Sequence, residues 1–142
     1  MKKLIIFILM NMGLLVFAQE TTIFCSEGHP GAYIFAAEQY IIFLWDGTPA
    51  AYIHIADNNS HIYGFNGKHL GWFFQGFFHD HNGHIFGAVK SVHPRDTFDE
   101  PEKASKRRVP DQSPRQTPPE RPLLSSSWIR TTLTEKLLSG IE

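Results

Sequence analysis

The chain has 142 residues, enough for one domain with appended segments, and 13% of them are aromatic, which favours strands and a compact β core. The formal net charge of −1 excludes the class of nucleic-acid-binding proteins that depends on a basic field. With only one cysteine, Cys25, the chain cannot have an intramolecular disulfide framework, and we expect this residue to be a buried small hydrophobe.

Residues 1–18 have the pattern of a secretory signal peptide. Two lysines precede the apolar run of residues 4–17, and Ala18 lies directly before a cleavage site at Gln19. The run is short of the roughly 20 apolar residues that span a bilayer. We therefore expect a secreted or periplasmic protein with no membrane span after signal removal.

Residues 19–93 contain a repeated turn pattern in which the fourth residue after each turn glycine is small. The turn glycines are Gly28, Gly47, Gly67 and Gly83. Asn66-Gly67 lies between two aromatic-rich runs and predicts a two-residue type I′ turn, with positive φ at both residues. A single hairpin cannot bury its own face. The pattern predicts four packed hairpins that meet closely at the small residues.

The second and third copies carry the most specific motifs. Residues 46–53 read Asp-Gly-Thr-Pro-Ala-Ala-Tyr-Ile, and residues 61–73 read His-Ile-Tyr-Gly-Phe-Asn-Gly-Lys-His-Leu-Gly-Trp-Phe. These motifs resemble the bacterial 4-fold beta flower domain over about residues 23–93. The resemblance implies an all-β fold of four tandem β-hairpin repeats around a pseudo-fourfold axis, and it implies no assigned activity.

Residues 94–122 contain seven of the nine prolines in the chain. A segment that buries so little apolar area does not offset the entropy of ordering it, so we expect a disordered linker. Residues 123–142 then predict a short amphipathic helix, because Trp128, Leu133 and Leu137 recur at helical spacing after a run of capping serines. We expect this helix to dock on the hairpins, since an exposed apolar stripe is unfavourable.

Three histidines near the fourth turn are candidate metal ligands. His79 and His81 lie two residues apart, so a strand would place them on one face, and His84 lies across the turn. Imidazole nitrogens bind Zn²⁺ or Cu²⁺. The alternative interpretation is that these are solvated polar residues of a turn.

Aromatic residues before that turn are candidate ligand contacts. Trp72, Phe74 and Phe77 follow a Gly-Trp and aromatic-pair rhythm that is similar to choline-binding and glucan-binding repeats, in which aromatic rings hold cationic or sugar ligands. The alternative is that they are core residues. A ligand site requires several of these rings and Trp45 to be accessible in a concavity, whereas a structural module buries them all.

The sequence contains no catalytic motif and no cofactor fingerprint. We therefore expect a non-catalytic interaction or structural module with no cofactor, and with a protein or cell-surface partner. The alternative is a domain that binds a small ligand or a metal through the aromatic and histidine-rich region of the fourth hairpin. No pattern indicates an oligomeric state.

Overall fold

The computed structural model describes residues 19–129 and 132–141, so the predicted signal peptide 1–18 lies outside the described residues. Eight strands come first, and a 3-10 helix at Lys90–Val92 and a short α-helix follow. The strands are β1 Gln19–Phe24, β2 Pro30–Ala36, β3 Tyr40–Phe43, β4 Pro49–Ala56, β5 Asn59–Gly64, β6 His69–Phe74, β7 Phe77–His79 and β8 Ile85–Val89. The α-helix, α1, is Leu133–Leu138.

The strands form a closed antiparallel barrel. Each strand pairs with the next one along the chain, and β1 pairs with β8 through Ile23 with Val89 and Phe24 with Ala88. Closure leaves none of the eight described strands with an unpaired side, so the barrel does not expose the hydrogen-bonding groups that an open sheet would. The prediction of an all-β fold is confirmed.

The four turn glycines all adopt positive φ, as the sequence predicted, with values of 88°, 90°, 90° and 84° at Gly28, Gly47, Gly67 and Gly83. The type I′ turn at Asn66-Gly67 is wrong, because Asn66 is not in the left-handed region. Gly67 N donates to Gly64 O at 3.0 Å, and Gly64 N donates to Lys68 O at 2.9 Å. This is a turn followed by a glycine bulge, which needs one positive φ.

Two-residue turns with positive φ occur instead at the other end of the barrel. Asp57 and Asn58 join β4 to β5 with φ of 53° and 62°, and Gln75 and Gly76 join β6 to β7 with φ of 51° and 89°. Asn and Asp tolerate this conformation better than most residues because their short polar side chains bond locally. The type I′ pattern therefore connects the repeats rather than closing each one.

The apolar core fills the barrel. Residues that point inward include Ile23, Ile42 and Ile62, all fully buried. The small residues four places after the turn glycines lie at crowded points, as predicted: Ala32 is fully buried, and a Cβ on Gly87 would lie 2.9 Å from Ile23 Cγ2. Cys25 is half-buried beside this core.

The proline-rich segment is not confirmed as a disordered linker. Residues 94–129, called the belt below, run in extended conformation around the end of the barrel that carries the turn glycines. The belt donates one backbone hydrogen bond of 2.9–3.0 Å to the carbonyl of each turn glycine. The four donors are Phe98, Arg107, Gln116 and Ser125. Proline lowers the entropy of the unfolded chain, so fewer contacts are needed to order this segment than its low apolar content suggested.

The helix closes the same end of the barrel. α1 places Leu133 and Leu137 in the barrel core, at 1% and 0% exposure, so the predicted docking is confirmed. It is shorter than predicted, and its N-cap is Thr132, whose hydroxyl accepts from Glu135 N at 3.1 Å. Trp128 forms a parallel bridge with Ile85 of β8 instead of joining the helix.

Candidate functional site

The belt contacts the barrel with a nine-residue period. Its four donors to the turn glycines are spaced nine residues apart, and so are the carbonyls of Asp96, Ser105, Pro114 and Leu123, which lie where a Cβ on each turn glycine would be. The sequence carries the same period. A proline followed by an acidic residue recurs at Pro101-Glu102, Pro110-Asp111 and Pro119-Glu120. This repeat, which composition alone concealed, is the signal that would have predicted the belt.

Outward-facing aromatic rings form a second apolar cluster beneath the belt. Its buried members include Tyr33, Phe43, Tyr52 and Tyr63. Lys106 Nζ lies 4.5 Å from the Phe35 ring centroid and 5.5 Å from that of Tyr33, and it forms an ion pair of 2.7 Å with Glu20. Cations over ring faces are stabilised by the ring quadrupole. The belt thus binds the aromatic face of β2 and β3 through a cation.

The same type of contact recurs along the belt. Arg115, nine residues after Lys106, places its guanidinium carbon 5.4 Å from the Tyr52 centroid and 5.9 Å from that of Tyr63. Arg121 lies 5.1 Å from the Phe74 centroid. The rings on the outer face of the barrel therefore attract cations at several places.

Charge around Lys106 is balanced. The hydrogen bond to Glu20 raises the pKa of Lys106. Burial opposes ionisation of Glu20, yet the hydrogen bond and charge of Lys106, with the charge of Lys103, hold the pKa of this carboxyl below its usual value. Lys106 and Glu20 are therefore both ionised at neutral pH.

The predicted metal ligands are not brought together. His79 is buried and its Nδ1 lies 2.9 Å from Gly83 O, whereas His81 contacts His69 and His84 is held through its backbone by Asp80. Among the described residues, no group of three or more His, Cys, Asp or Glu side chains is arranged to hold a metal ion. His79 is the last residue of β7, and His81 already lies in the turn. The strand alternation that would have placed both side chains on one face therefore does not extend to His81.

A different set of histidines forms a hydrogen-bonded chain. His61 Nδ1 lies 3.0 Å from His69 Nε2, and His69 Nδ1 lies 2.9 Å from His81 Nε2. A neutral imidazole has one donor and one acceptor nitrogen, so the chain is satisfied when His69 donates to His61 and His81 donates to His69. Burial, with the charges of His81, His61 and Lys136, lowers the pKa of His69 to about 3. The chain is neutral at physiological pH.

The predicted ligand aromatics are divided between core and surface. Trp72 is only 1% exposed and packs against His69 and His81, with ring centroids 4.7 and 5.7 Å apart. Phe74 is 39% exposed beneath Arg121. Trp45 and Phe77 are half-buried, and Trp45 Nε1 donates to Pro30 O at 3.1 Å. Trp72 is therefore a core residue, and these rings do not line one open concavity.

The end of the barrel away from the belt is an open concavity, called the mouth below. Its volume is about 310 Å³. It is lined by Gln19, Thr21, Ile34, Ala36, Tyr40, Ile53, Ile55, Ser60 and Phe73. Tyr40 and Ile55 at its rim are 45% and 61% exposed. The mouth lies at the strand ends, and the small side chains of Thr21, Ala36 and Ser60 are part of its lining.

A second concavity, called the seam cavity below, lies between the belt and the β2–β3 strands. Its volume is about 600 Å³. It is lined by Phe35, Ala37, Glu38, Gln39, Ile41, Phe43, Val109, Pro110, Asp111 and Gln112. Gln112 Nε2 donates to Gln39 Oε1 at 2.7 Å, which ties the belt to the β2–β3 loop. Ligand pockets usually have volumes of roughly 300–1,000 Å³, so both concavities are of ligand size.

Among the described residues, no helix has the length and apolar character needed to cross a membrane. Comparison with curated proteins gives no match, and comparison with solved structures gives none either. A family model described as 4-fold beta flower protein matches residues 21–137. The match includes the belt and most of α1 as well as the barrel, so the belt is part of the family's unit. With well over half of its length matched, this chain belongs to the 4-fold beta flower protein family.

Proposed function

We propose that this protein is a non-catalytic interaction module that is exported from the cell and binds its partner through the mouth of the barrel. The observation that carries the proposal is the open apolar concavity of about 310 Å³ at the mouth, with Tyr40 and Ile55 exposed at its rim. Barrel mouths are preferred positions for ligand sites. The side chains that line the mouth are uncharged and largely apolar, which suits an apolar group of the partner.

The rest of the molecule supports a rigid platform. The belt bonds to all four turn-glycine carbonyls, and at the same end of the barrel, away from the mouth, α1 packs into the core. A preorganised site loses little conformational entropy on binding. The mouth therefore has fixed walls, and its apolar side chains are already in position.

Direct association of two mouths is a poor alternative occupant. A twofold interface places the same surface on both subunits. Two concave mouths facing each other would enclose a void instead of filling one, and unfilled apolar cavities are destabilising. The concave shape therefore favours a convex apolar group from a different molecule.

Binding at the mouth is tested with the neutral fluorescent probe N-phenyl-1-naphthylamine, whose emission rises in apolar surroundings. We expect saturable binding of one probe per chain. Ala36→Leu, which fills the mouth, should weaken binding by about tenfold or more, equivalent to about 1.4 kcal/mol. Ala104→Leu is the matched control, because the same side chain is added at an exposed belt position.

Probe binding that is equal in Ala36→Leu and Ala104→Leu would contradict a site at the mouth. An absence of saturable binding to the unsubstituted chain would do the same. Circular dichroism of each variant separates loss of the site from loss of the fold.

The proposed export follows from the signal pattern of residues 1–18. Cleavage before Gln19 would leave the new N-terminus at the rim of the mouth, since Gln19 contributes to its lining. N-terminal sequencing of the protein secreted by a Gram-negative host is expected to begin at Gln19. Recovery of the chain with Met1 intact in the membrane fraction would overturn the proposal.

We also propose that the four hairpins are related by a pseudo-fourfold axis along the barrel. The carbonyl of each turn glycine accepts one backbone hydrogen bond from the belt, and each donor in the belt lies nine residues after the previous one. An experimental structure tests the axis. Superposition of each hairpin on the next should need a rotation of about a quarter turn, as eight evenly spaced strands require.

A further inference from the structure

We infer that the seam cavity is a binding site for a small organic cation with an apolar or aromatic body. The inference concerns a different surface from the mouth and does not depend on the proposed function. Three observations support it: the volume of the cavity, the charge of its lining and the contact that the neighbouring rings make with the ammonium group of Lys106.

The cavity has an apolar floor and an acidic rim. Phe35 and Ile41 provide the floor, while Val109 and Pro110 of the belt form the facing wall. Two carboxylates, Glu38 and Asp111, also line it, and both residues are exposed. None of the described residues that line the cavity is a lysine or an arginine. The lining therefore carries an excess of negative charge beside apolar surface.

The adjacent rings already hold a cation. Lys106 Nζ lies 4.5 Å from the Phe35 centroid and 5.9 Å from the Phe43 centroid. Its charge is compensated by Glu20, whose carboxylate is 2.7 Å away. A second cation in the cavity would thus meet the Lys106–Glu20 ion pair on one side and the exposed carboxylates of Glu38 and Asp111 on the other. At the edge of the cavity the charge of Arg115 is directed to Gln112, whose Oε1 accepts from Arg115 Nη2 at 3.0 Å. Aromatic ring faces bind organic cations, and a nearby carboxylate adds Coulomb attraction.

A contact between the barrel and the belt sets the width of the cavity. Gln39 and Gln112 hydrogen-bond across its edge, which fixes the width of the opening between barrel and belt. A volume of about 600 Å³ exceeds that of a single ammonium group. We therefore assign it to a cation with an aromatic or alkyl body rather than to a metal ion or a simple ammonium ion.

The test uses calorimetric titration with benzyltrimethylammonium as the probe. We expect one ion to bind per chain. Glu38→Gln combined with Asp111→Asn should weaken binding by about fivefold or more, since two attractive charges are removed without a change of shape. Asp99→Asn combined with Glu102→Gln is the matched control, because it removes the same charge from exposed belt positions outside the cavity.

Two further probes separate cation recognition from simple apolar binding. The neutral 4-tert-butylbenzyl alcohol is of similar size and also combines a benzene ring with three methyl groups, and it should bind more weakly by about fivefold or more because it carries no charge. Phenylacetate, which is an anion, should bind more weakly still. Phe35→Leu should weaken binding of the cation more than that of the alcohol. Equal binding of cation and alcohol, equal loss in the two double variants, or no binding to the unsubstituted chain would overturn the inference.

Discussion

At the scale of single residues, the turn glycines serve two purposes. Each needs a positive φ to end its turn, and each leaves space for a belt carbonyl where a side chain would begin. At Gly67 that carbonyl belongs to Pro114. The conformational requirement can be read from the sequence, whereas the close approach depends on a segment almost fifty residues away.

The first prediction concerns Gly67. Gly67→Val should lower the free energy of unfolding by at least about 1–2 kcal/mol, because a β-branched residue at positive φ is strained and its Cβ collides with the belt. Urea unfolding measures the loss. Lys68→Val, at the next and exposed position, is the control. An unchanged midpoint in Gly67→Val would contradict both the turn and the belt contact there.

The chain of His61, His69 and His81 makes stability depend on pH. The pKa of His69 is about 3 in the folded state, against about 6.5 for a free histidine, and burial lowers the pKa of His61 and His81 as well. Below pH 6.5 the unfolded chain therefore binds more protons than the folded one. Stability is complete above pH 6.5 and falls as the pH is lowered from 6.5 towards 3.

The second prediction is the size of this loss of stability with falling pH. His69 alone should reduce the free energy of unfolding by about 2 kcal/mol between pH 8 and pH 5. Urea unfolding at the two values measures it. His69→Phe should be less stable at pH 8, because two hydrogen bonds are lost, and should show a smaller fall with pH. His29→Phe, at an exposed position, should keep the full fall; a fall of equal size in His69→Phe would contradict the assignment.

At the scale of elements, the belt is an extended segment that is held in place by its contacts with the barrel and not by contacts within itself. Its backbone groups bond to the turns, and its cations pack on outward-facing rings. An extended proline-rich chain has no internal hydrogen bonds, so its order depends on these contacts. Order in the belt should consequently vary with the nine-residue period.

The third prediction is a periodic pattern of amide protection. The amides of Phe98, Arg107 and Gln116 should exchange with solvent at least about tenfold more slowly than those of Arg108 and Thr117, which follow directly and for which the described structure gives no acceptor. Hydrogen exchange followed by NMR measures each amide. Uniformly fast exchange across the segment would instead support a disordered linker.

The helix α1 contributes mainly through two leucines. Its six residues are too few to be stable alone, so its order depends on packing. The fourth prediction is that Leu137→Ala lowers the free energy of unfolding by about 2–5 kcal/mol, because it leaves a cavity in the core. Leu138→Ala, at a site 37% exposed, should cost far less. Chemical denaturation compares the two, and equal losses would contradict docking of this helix face.

At the scale of the whole molecule, the barrel, the belt and the helix are joined into one unit. β1 and β8 close the barrel, Trp128 bridges to β8, and α1 packs inside it. Removing any one of these parts exposes surface that the others bury. Small units connected in this way usually unfold in a single transition.

The fifth prediction is that the barrel and the end of the belt unfold together. In a Trp45→Phe, Trp72→Phe variant, fluorescence reports Trp128 while far-UV circular dichroism reports the strands. Both signals should give the same urea midpoint in this one variant. An earlier transition in fluorescence would indicate that the segment after the belt separates from the barrel before the strands unfold.

The sequence by itself determined the all-β fold, the positive φ at four glycines and the docking of a terminal helix. These features depend on local periodicity and on the steric freedom of glycine, which a residue carries with it. The predicted turn type at Asn66-Gly67 was wrong because all four glycine turns share a longer geometry, in which the glycine N donates to the carbonyl three residues earlier and only the glycine has positive φ. An Asn-Gly pair alone does not show the length of the loop that contains it.

Only the tertiary structure decided the belt, the histidine chain and the two concavities. The belt has too few apolar residues to be ordered alone, and its order comes from turn carbonyls and rings that four separate hairpins supply. His61 and His69 lie on neighbouring strands and His81 in the next turn, so barrel closure brings them together. Long-range pairing is set by the packing of the whole chain, and residue spacing does not record it.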